Sequence, residues 1–162
     1  MAVFRAFKAL RPTKEKAAAV AALPYDVVNR EEAAAIGKEN PDSFLHVDRA
    51  EMDLPAETDL YDVKVYQKAK ENLHKMEETG VLVQDHKPCY YIYELVRKGK
   101  VQTGIAGCAS IDDYLNNVVK KHELTRSDKE LDRINHVDVC DANTGPIYLA
   151  CRYTDALSAL LE

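Results

Sequence analysis

The sequence has no apolar run long enough to form a signal peptide, and no stretch approaches the roughly 20 apolar residues that span a bilayer. We therefore predict a cytoplasmic protein with no membrane partner. The four cysteines form no CxxC pair, and each lies among apolar or β-type neighbours. This context predicts reduced thiols in the core, not disulfides or metal ligands.

The common nucleotide-binding and hydrolase signatures are also missing. The chain has no GxxxxGK[ST] loop, no GxGxxG, no HExxH and no GxSxG. Its formal net charge of −5 argues against broad non-specific DNA binding, because that binding depends on Lys and Arg neutralising phosphates. DNA is therefore a disfavoured partner, although a local basic cluster is compatible with the composition.

The residues that are present describe a globular, water-soluble protein, with 46% hydrophobic and 30% charged residues. We predict a single α+β domain over residues 1–162, with a mixed β-sheet and flanking helices. The clearest element is an amphipathic helix from Thr58 to Thr79, whose apolar residues recur every three or four positions and which ends at Gly80. A second helix is expected from the Asn29 cap to about Glu39.

Aromatic and β-branched residues predict the strands. The turn Lys98-Gly99-Lys100 joins two of them in a hairpin, and Gly104 and Gly107 predict a bulge or a close backbone approach in its second strand. A final helix is expected to start at Thr154 and Asp155. The predicted strands are Val3 to Leu10, Ser43 to Val47 (SFLHV), Cys89 to Val96, Val101 to Ile111 and Pro146 to Tyr153.

The polar run from Lys120 to Arg133 is the stretch most suggestive of function, because it opens a helix. Thr125 can cap that helix, and Asp128 stands where the acid of a capping box is expected. Leu131 and Ile134 are expected to face inward. A helix N-terminus offers free backbone N–H groups to an anion such as phosphate, and nearby cations add positive charge around it. Those cations are Lys120, Lys121, His122 and Arg126.

Two interpretations of this run stay open on the residues alone. The first is a phosphate site. The second is a charged, solvated helix whose side chains pair at i and i+4, each pair contributing about 0.2 to 0.5 kcal/mol.

One residue pair and two single residues also carry candidate chemistry. Asp132 and His136 lie one helical turn apart and could hold a metal with Glu123, although such pairs often arise by chance and no metal site is predicted. His46 is expected to be hydrogen-bonded and partly buried. Asp26 is either a turn acid near a helix start or a general base or cation ligand at the edge of a cleft.

Several segments together resemble a bacterial and archaeal protein family of unknown function, the one catalogued as domain of unknown function 1015. They cover most of the chain in order, and KKHELTR is the most specific of them. The matching segments are Phe4 to Pro12 (FRAFKALRP), Pro24 to Val28 (PYDVV), Asp42 to Val47 (DSFLHV), Tyr90 to Glu94 (YYIYE), Lys120 to Arg126 (KKHELTR) with Lys129 to Arg133 (KELDR), and Thr144 to Tyr148 (TGPIY).

This family looks similar to the ParB and sulfiredoxin superfamily, which includes nucleotide-binding partition proteins and kinases that act on free serine. The resemblance implies a ParB/sulfiredoxin-like sheet and a site that binds ATP or ADP with Mg²⁺. It implies that Asp26, His122 and Glu123 are the catalytic residues, with Asp26 near the acceptor hydroxyl. It implies that phosphate is bound by Lys120, Lys121, Thr125 and Arg126.

One departure from the family pattern is the absence of an Asp-Gly-His-His-Arg box. We therefore expect this chain to be the amino-terminal portion of a longer protein, an incomplete domain that is inactive alone. The whole protein is expected to be a nucleotide-binding phosphotransferase acting on a small hydroxylated metabolite such as serine. The alternatives are a ParB-like regulatory module that binds a nucleotide or DNA without turnover, or an interaction scaffold.

Overall fold

The computed structural model describes residues 2–121, 126–152 and 154–161. It combines helices with short antiparallel strand pairs, which confirms the predicted α+β class. The chain divides into two compact units, and the prediction of a single domain over residues 1–162 stays a prediction. The first unit comprises Met1–Ala9, His86–His122 and Gly145–Glu162, and the second comprises Leu10–Asp85 and Glu123–Thr144.

The regular elements in the described part of the chain are mostly short. A single turn of 3₁₀ helix over Ala50–Asp53 accompanies them. The strands are β1 (Phe4–Arg5), β2 (Leu10–Pro12), β3 (Leu82–Gln84), β4 (Tyr91–Arg97), β5 (Lys100–Ala106) and β6 (Cys108–Ala109). The helices are α1 (Ala17–Val20), α2 (Arg30–Glu39), α3 (Leu45–Asp48), α4 (Val63–Glu78), α5 (Ile111–Leu115), α6 (Ser127–Cys140) and α7 (Asp155–Leu161).

Helix α4 is the main apolar support of the second unit. The side chain of Asp62 caps it by accepting a hydrogen bond from the Lys64 N–H at 2.9 Å, and Gly80 follows its end with a φ of 71°. The helix begins at Val63, five residues after the predicted start at Thr58, and Val63 itself is exposed. From Tyr66 onward the predicted apolar positions are buried at helical spacing. The buried residues are Val65, Tyr66, Ala69, Leu73 and Met76.

Helix α2 starts at a reciprocal cap, which confirms Asn29 as its first boundary. The Asn29 side chain accepts from the Glu32 N–H, and the Glu32 carboxylate accepts from the Asn29 N–H, both at 2.9 Å. Two backbone donors that the helix leaves unpaired are satisfied in this way. The helix ends at Glu39, as predicted.

Residues 43–47, predicted as a buried strand, instead lead into the single turn of α3. The Ser43 hydroxyl accepts from the Leu45 N–H at 3.3 Å, which favours a turn at this point. Leu45 and Val47 are both fully buried, but in different clusters, Leu45 with Val28 and Val47 with α4. Leu45 and Val47 are therefore both buried because apolar neighbours lie on two sides of this short helix. Their two-residue spacing is the same as that of buried residues in a strand.

Helix α6 differs from the prediction in its cap and in its inward face. Its N-cap residue is Arg126 and no side chain makes a cap hydrogen bond, whereas the predicted cap, Thr125, lies outside the described residues. Because Arg126 is the N-cap, Asp128 is the second residue of the helix and not the third, so it is not a capping-box acid, and it pairs with the Arg126 side chain at 2.7 Å. Leu131 and Ile134 are mostly exposed. The inward face carries Asp132, His136 and Cys140 instead, at spacings of four residues.

The first unit contains the predicted hairpin of β4 and β5. Lys98 and Gly99 form its turn with positive φ angles of 51° and 75°. Gly107 interrupts the chain between β5 and β6, and an added Cβ there would lie 2.6 Å from the Phe4 ring and 3.0 Å from the Arg5 carbonyl oxygen. The predicted close backbone approach is therefore present at Gly107.

The described strands form three separate antiparallel pairs, β1 with β6, β2 with β3, and β4 with β5, and no mixed sheet. The predicted segment from Val3 to Leu10 contains β1 and the start of β2. The prediction of a strand over 146–153 is wrong for residues 146–152, which form no regular structure. No strand pairs with them, and a strand needs a partner for its backbone groups. Helix α7 follows where a final helix is expected.

The four cysteines are free, as predicted, but only Cys140 belongs to the core, whereas Cys89, Cys108 and Cys151 are exposed. The prediction of core thiols is therefore wrong for three of them. Cys89 and Cys108 lie in short antiparallel pairings that leave them exposed, and Cys151 lies in a segment that pairs with no strand. Among the described residues, no helix has the length and apolar character needed to cross a membrane.

Candidate functional site

A narrow cleft of about 50 Å³ lies in the second unit, where α3, α4 and α6 meet. A wider and more open groove of about 580 Å³ adjoins it, and Tyr25, Lys129 and Arg133 line both. The narrow cleft is dense in charge of both signs. Its charged side chains are Asp48, Arg49, Glu51, Lys129, Asp132 and Arg133.

Arg133 is fixed at the mouth shared by the two cavities. Its Nε and Nη2 atoms both donate to the Asp132 Oδ2, at 3.2 and 3.0 Å. Its guanidinium also lies 4.5 Å from the centroid of the Tyr25 ring, a favourable cation–π distance. A carboxylate on one edge and an aromatic face against its plane therefore orient this cation before any ligand arrives.

Asp132 is held in turn from the core. The Tyr66 hydroxyl, on the buried face of α4, donates to the Asp132 Oδ1 at 3.1 Å. Burial of this hydroxyl raises the pKa of Tyr66, so the phenol keeps its proton and remains a donor. Hydrogen bonds thus link Tyr66 to Asp132 and Asp132 to Arg133, and they hold the guanidinium in position.

Asp48, the last residue of α3, has the most perturbed carboxyl group of the cleft. Its burial raises its pKa to about 6, although the Thr144 side chain and the positive charge of Arg133 both act to lower it. Near neutral pH this carboxyl group therefore exchanges a proton readily, which is a property of general bases.

The remaining charges of the cleft form pairs or lie at its rim. The Arg49 Nε and the Glu51 Oε1 lie 2.9 Å apart as an ion pair, in an orientation unfavourable for a hydrogen bond. Lys129 extends toward Tyr61, with its Nζ 3.4 Å from the phenolic oxygen and 5.8 Å from the ring centroid. One turn of α6 separates Lys129 from Arg133, so both cations stand on the same side of the helix.

Asp132 and His136, considered as metal ligands in the sequence, have other partners. Burial lowers the pKa of His136 to about 4, so the ring is neutral at pH 7. Its Nε2 lies 3.9 Å from the Cys140 sulfur, and Asp132 already accepts from Tyr66 and Arg133. Among the described residues, no cluster of three His, Cys, Asp or Glu side chains could hold a metal ion, and Glu123 lies outside them.

His46 occupies the predicted environment, hydrogen-bonded and partly buried. Its Nδ1 lies 2.8 Å from the Asp53 Oδ2, and this hydrogen bond is the main reason why the pKa of His46 is raised. Asn72 of α4 donates to the same Asp53 oxygen and to the His46 carbonyl oxygen, at 2.8 and 2.6 Å. The network ties α3 and the 3₁₀ turn to α4, which is a structural role.

The predicted site residues divide between the two units, and some lie outside the described residues. Asp26 is exposed and is not among the residues that line either cavity, whereas its neighbour Tyr25 lines both. In the first unit Lys120 is exposed and Lys121 lies 4.6 Å above the Tyr114 ring. Arg126, in the second unit, is engaged with Asp128. His122, Glu123 and Thr125 lie outside the described residues.

From the sequence, Asp132 and His136 are considered only as a metal pair, and the contact of Asp132 with Tyr66 is not predicted, although two signals for it exist. Asp132, His136 and Cys140 recur every fourth residue, which places them on one face of a helix. Tyr66 is part of the apolar stripe of α4, and a buried phenol requires a hydrogen-bond acceptor. Together these signals point to a polar contact between the two helices.

One comparison with known proteins gives a match. A family model described as "Protein of unknown function (DUF1015)" matches residues 4–162. A search of curated proteins and a search of solved structures give no match.

Proposed function

We propose that this chain, which belongs to the DUF1015 family of proteins of unknown function, supplies an oxyanion-binding cleft to a nucleotide-dependent phosphotransferase. The acceptor would be a small hydroxylated metabolite such as serine. A similarity of the fold to the ParB and sulfiredoxin superfamily is part of this proposal. The observation that carries it is the fixed position of Arg133 at the mouth of the cleft.

Arg133 has the geometry of an anion receptor. Because its Nε edge is turned to Asp132, the Nη1 group can donate to a ligand. Asp132 and Tyr25 already restrict the side chain, so binding an oxyanion costs little additional rotamer entropy. Lys129 adds a second positive charge from the same helix. Oxyanions such as phosphate and carboxylate are the ligands that such pairs of cations recognise.

The two cavities differ in what they can contain. The groove, about 580 Å³, is open to solvent and has room for a larger ligand. The narrow cleft, about 50 Å³, accommodates only a small polar group. We infer that nucleotide phosphates would lie in the groove against Arg133 and Lys129, and that the acceptor hydroxyl would enter the cleft.

The residues of the cleft fit a Mg²⁺-nucleotide as far as its phosphates are concerned. Mg²⁺ in such sites usually needs only one or two protein carboxylates beside the phosphates. When bound, the ion would neutralise charge on the transferred group. The chain's own contribution is to hold the phosphate oxygens with Arg133 and Lys129. Positioning and charge neutralisation of this kind supply most of the catalysis in phosphoryl transfer.

Isothermal titration calorimetry with Mg²⁺-ATP and Mg²⁺-ADP tests the proposal. The full-length protein should bind both, and Arg133→Gln should weaken binding by about 10- to 100-fold, because a hydrogen bond to a charged group contributes roughly 1.5 to 3 kcal/mol. Phosphate transfer is then followed by ³¹P NMR with serine and other small hydroxylated metabolites as acceptors.

Arg97→Gln is the matched control, because it removes the same charge from the exposed end of the hairpin in the first unit. Its affinity should stay within about twofold of the native value. The proposal is wrong if the native protein binds neither nucleotide, or if Arg133→Gln binds as well as Arg97→Gln. Complete absence of binding would favour an interaction scaffold, and binding without transfer would favour a regulatory module.

A further inference from the structure

Three acidic side chains face the narrow cleft, and two of them are committed to partners. Asp132 accepts hydrogen bonds from Tyr66 through one oxygen and from Arg133 through the other. Glu51 is almost fully buried and lies against Arg49. A carboxylate that is already neutralised by a fixed cation is a weak proton acceptor. Asp48 is the third acid.

Asp48 has a different environment from the other two. It is half-buried at the end of α3 and contacts the Thr144 side chain. From α6, the positive charge of Arg133 lowers the pKa of Asp48, although the two side chains form no direct ion pair. Cys140, also on α6, senses the Asp48 charge and is an uncharged thiol, because burial raises its pKa. His136 on the same helix face is neutral at pH 7.

We propose that Asp48 is the catalytic residue that accepts the proton of the acceptor hydroxyl during phosphoryl transfer. This inference rests on the proposed function and adds to it the identity of the base. Asp48 lies in the same cleft as Arg133, the residue assigned to the phosphate, so an acceptor hydroxyl beside Asp48 would face the phosphate. Asp26, which the sequence suggests for this role, is not among the residues lining the cleft.

The step balances without a further reactant. The acceptor oxygen forms a bond to the terminal phosphorus of the nucleoside triphosphate, and its proton moves to an oxygen of the Asp48 carboxylate. The bond from that phosphorus to the bridging oxygen breaks, and its electron pair leaves with the nucleoside diphosphate. Asp48 then releases the proton to solvent, which its proton affinity near neutral pH permits.

Phosphate transfer by Asp48→Asn in the full-length protein, measured with Mg²⁺-ATP and a panel of small hydroxylated acceptors, tests this assignment. Asparagine keeps the shape of the side chain but accepts no proton, so kcat should fall by about 100-fold or more while Mg²⁺-ATP affinity changes less than threefold. The kcat of the native protein should fall as the pH is lowered through about 6, and this decline should be absent from the residual activity of Asp48→Asn.

Asp112→Asn makes the same chemical change at an exposed helix start of the first unit, and it should keep the native kcat. Circular dichroism establishes that Asp48→Asn is folded, and Asp48→Glu, which keeps a carboxylate, should retain more activity than Asp48→Asn. A native protein that transfers phosphate together with an equally active Asp48→Asn overturns the role of Asp48 alone. Loss of nucleotide binding in Asp48→Asn also overturns it. A native protein that transfers phosphate to no acceptor overturns this role and the proposed function together.

Discussion

Replacing Asp48 by asparagine should expose a pH dependence of the free energy of unfolding. In the native protein, opposite contributions of Asp48 and His136 cancel this dependence. Burial raises the pKa of Asp48 from 3.8 to about 6, so the folded protein holds this proton more tightly than the unfolded chain. The stability that Asp48 contributes is present below pH 4 and is lost as the pH rises to about 6. Burial lowers the pKa of His136 from 6.5 to about 4, so its contribution is lost in the opposite direction, as the pH falls from 6.5 toward 4.

The two contributions are similar in size. A pKa change of one unit corresponds to about 1.4 kcal/mol, so each group can alter the free energy of unfolding by at most about 3 kcal/mol. Asp48 keeps some exposure to water, and solvent screening should reduce its contribution to about 2 kcal/mol. Because one contribution rises while the other falls between pH 4 and 6, the native protein should show little net change from this cleft.

Urea denaturation at pH 4, 5, 6 and 7 measures the effect as a difference between variants. Relative to the native protein, Asp48→Asn should gain about 2 kcal/mol in the free energy of unfolding between pH 4 and pH 7. His136→Gln should lose a similar amount over the same interval. Asp112→Asn should run parallel to the native protein. The reasoning fails if the Asp48→Asn curve also stays parallel to the native one within about 0.5 kcal/mol.

Two further substitutions test the fold around the cleft and in the first unit. Arg30→Gln should destabilise the protein by about 2 to 4 kcal/mol in urea denaturation. The reason is that the Arg30 guanidinium donates to five backbone carbonyl oxygens between Glu51 and Thr58, at 2.7 to 3.2 Å. An unchanged denaturation midpoint would contradict this. Gly107→Ala should destabilise the contact with β1 by about 1 to 3 kcal/mol and speed hydrogen exchange there, whereas Gly104→Ala, whose nearest atom lies at 3.8 Å, should be nearly neutral. Equal exchange in the two variants would refute the close approach.

Local signals in the sequence were sufficient for several elements. Asn29 and Glu32 satisfy each other's backbone groups within one turn, so the start of α2 depends on few distant residues. The stripe of apolar residues in α4 and the Lys98-Gly99 turn are equally local. By contrast, Leu45 and Val47 have the two-residue spacing of a strand because they pack into two different clusters, which only the tertiary structure defines.

The inward face of α6 shows why the site was harder to predict than the helix that carries it. Hydrophobicity favours Leu131 and Ile134 as buried residues, but these are exposed. Asp132 can be buried because a hydroxyl 66 residues earlier in the chain donates to it, and this partner offsets the cost of removing a carboxylate from water. No periodicity rule includes a hydrogen bond at that distance.

The same contact determines which cations of the polar run can act in the cleft. The run between Lys120 and Arg133 has many positive charges, and composition alone does not distinguish one from another. Tyr66 fixes Asp132, Asp132 fixes Arg133, and the helical repeat then brings Lys129 to the same side. Arg126 instead pairs with Asp128 in solvent. The positive charge of the run thus indicated α6, but the buried hydrogen bond from Tyr66 to Asp132 distinguishes Arg133 from the other cations. Tyr66→Phe should make the Arg133 side chain more mobile without removing any charge from the cleft.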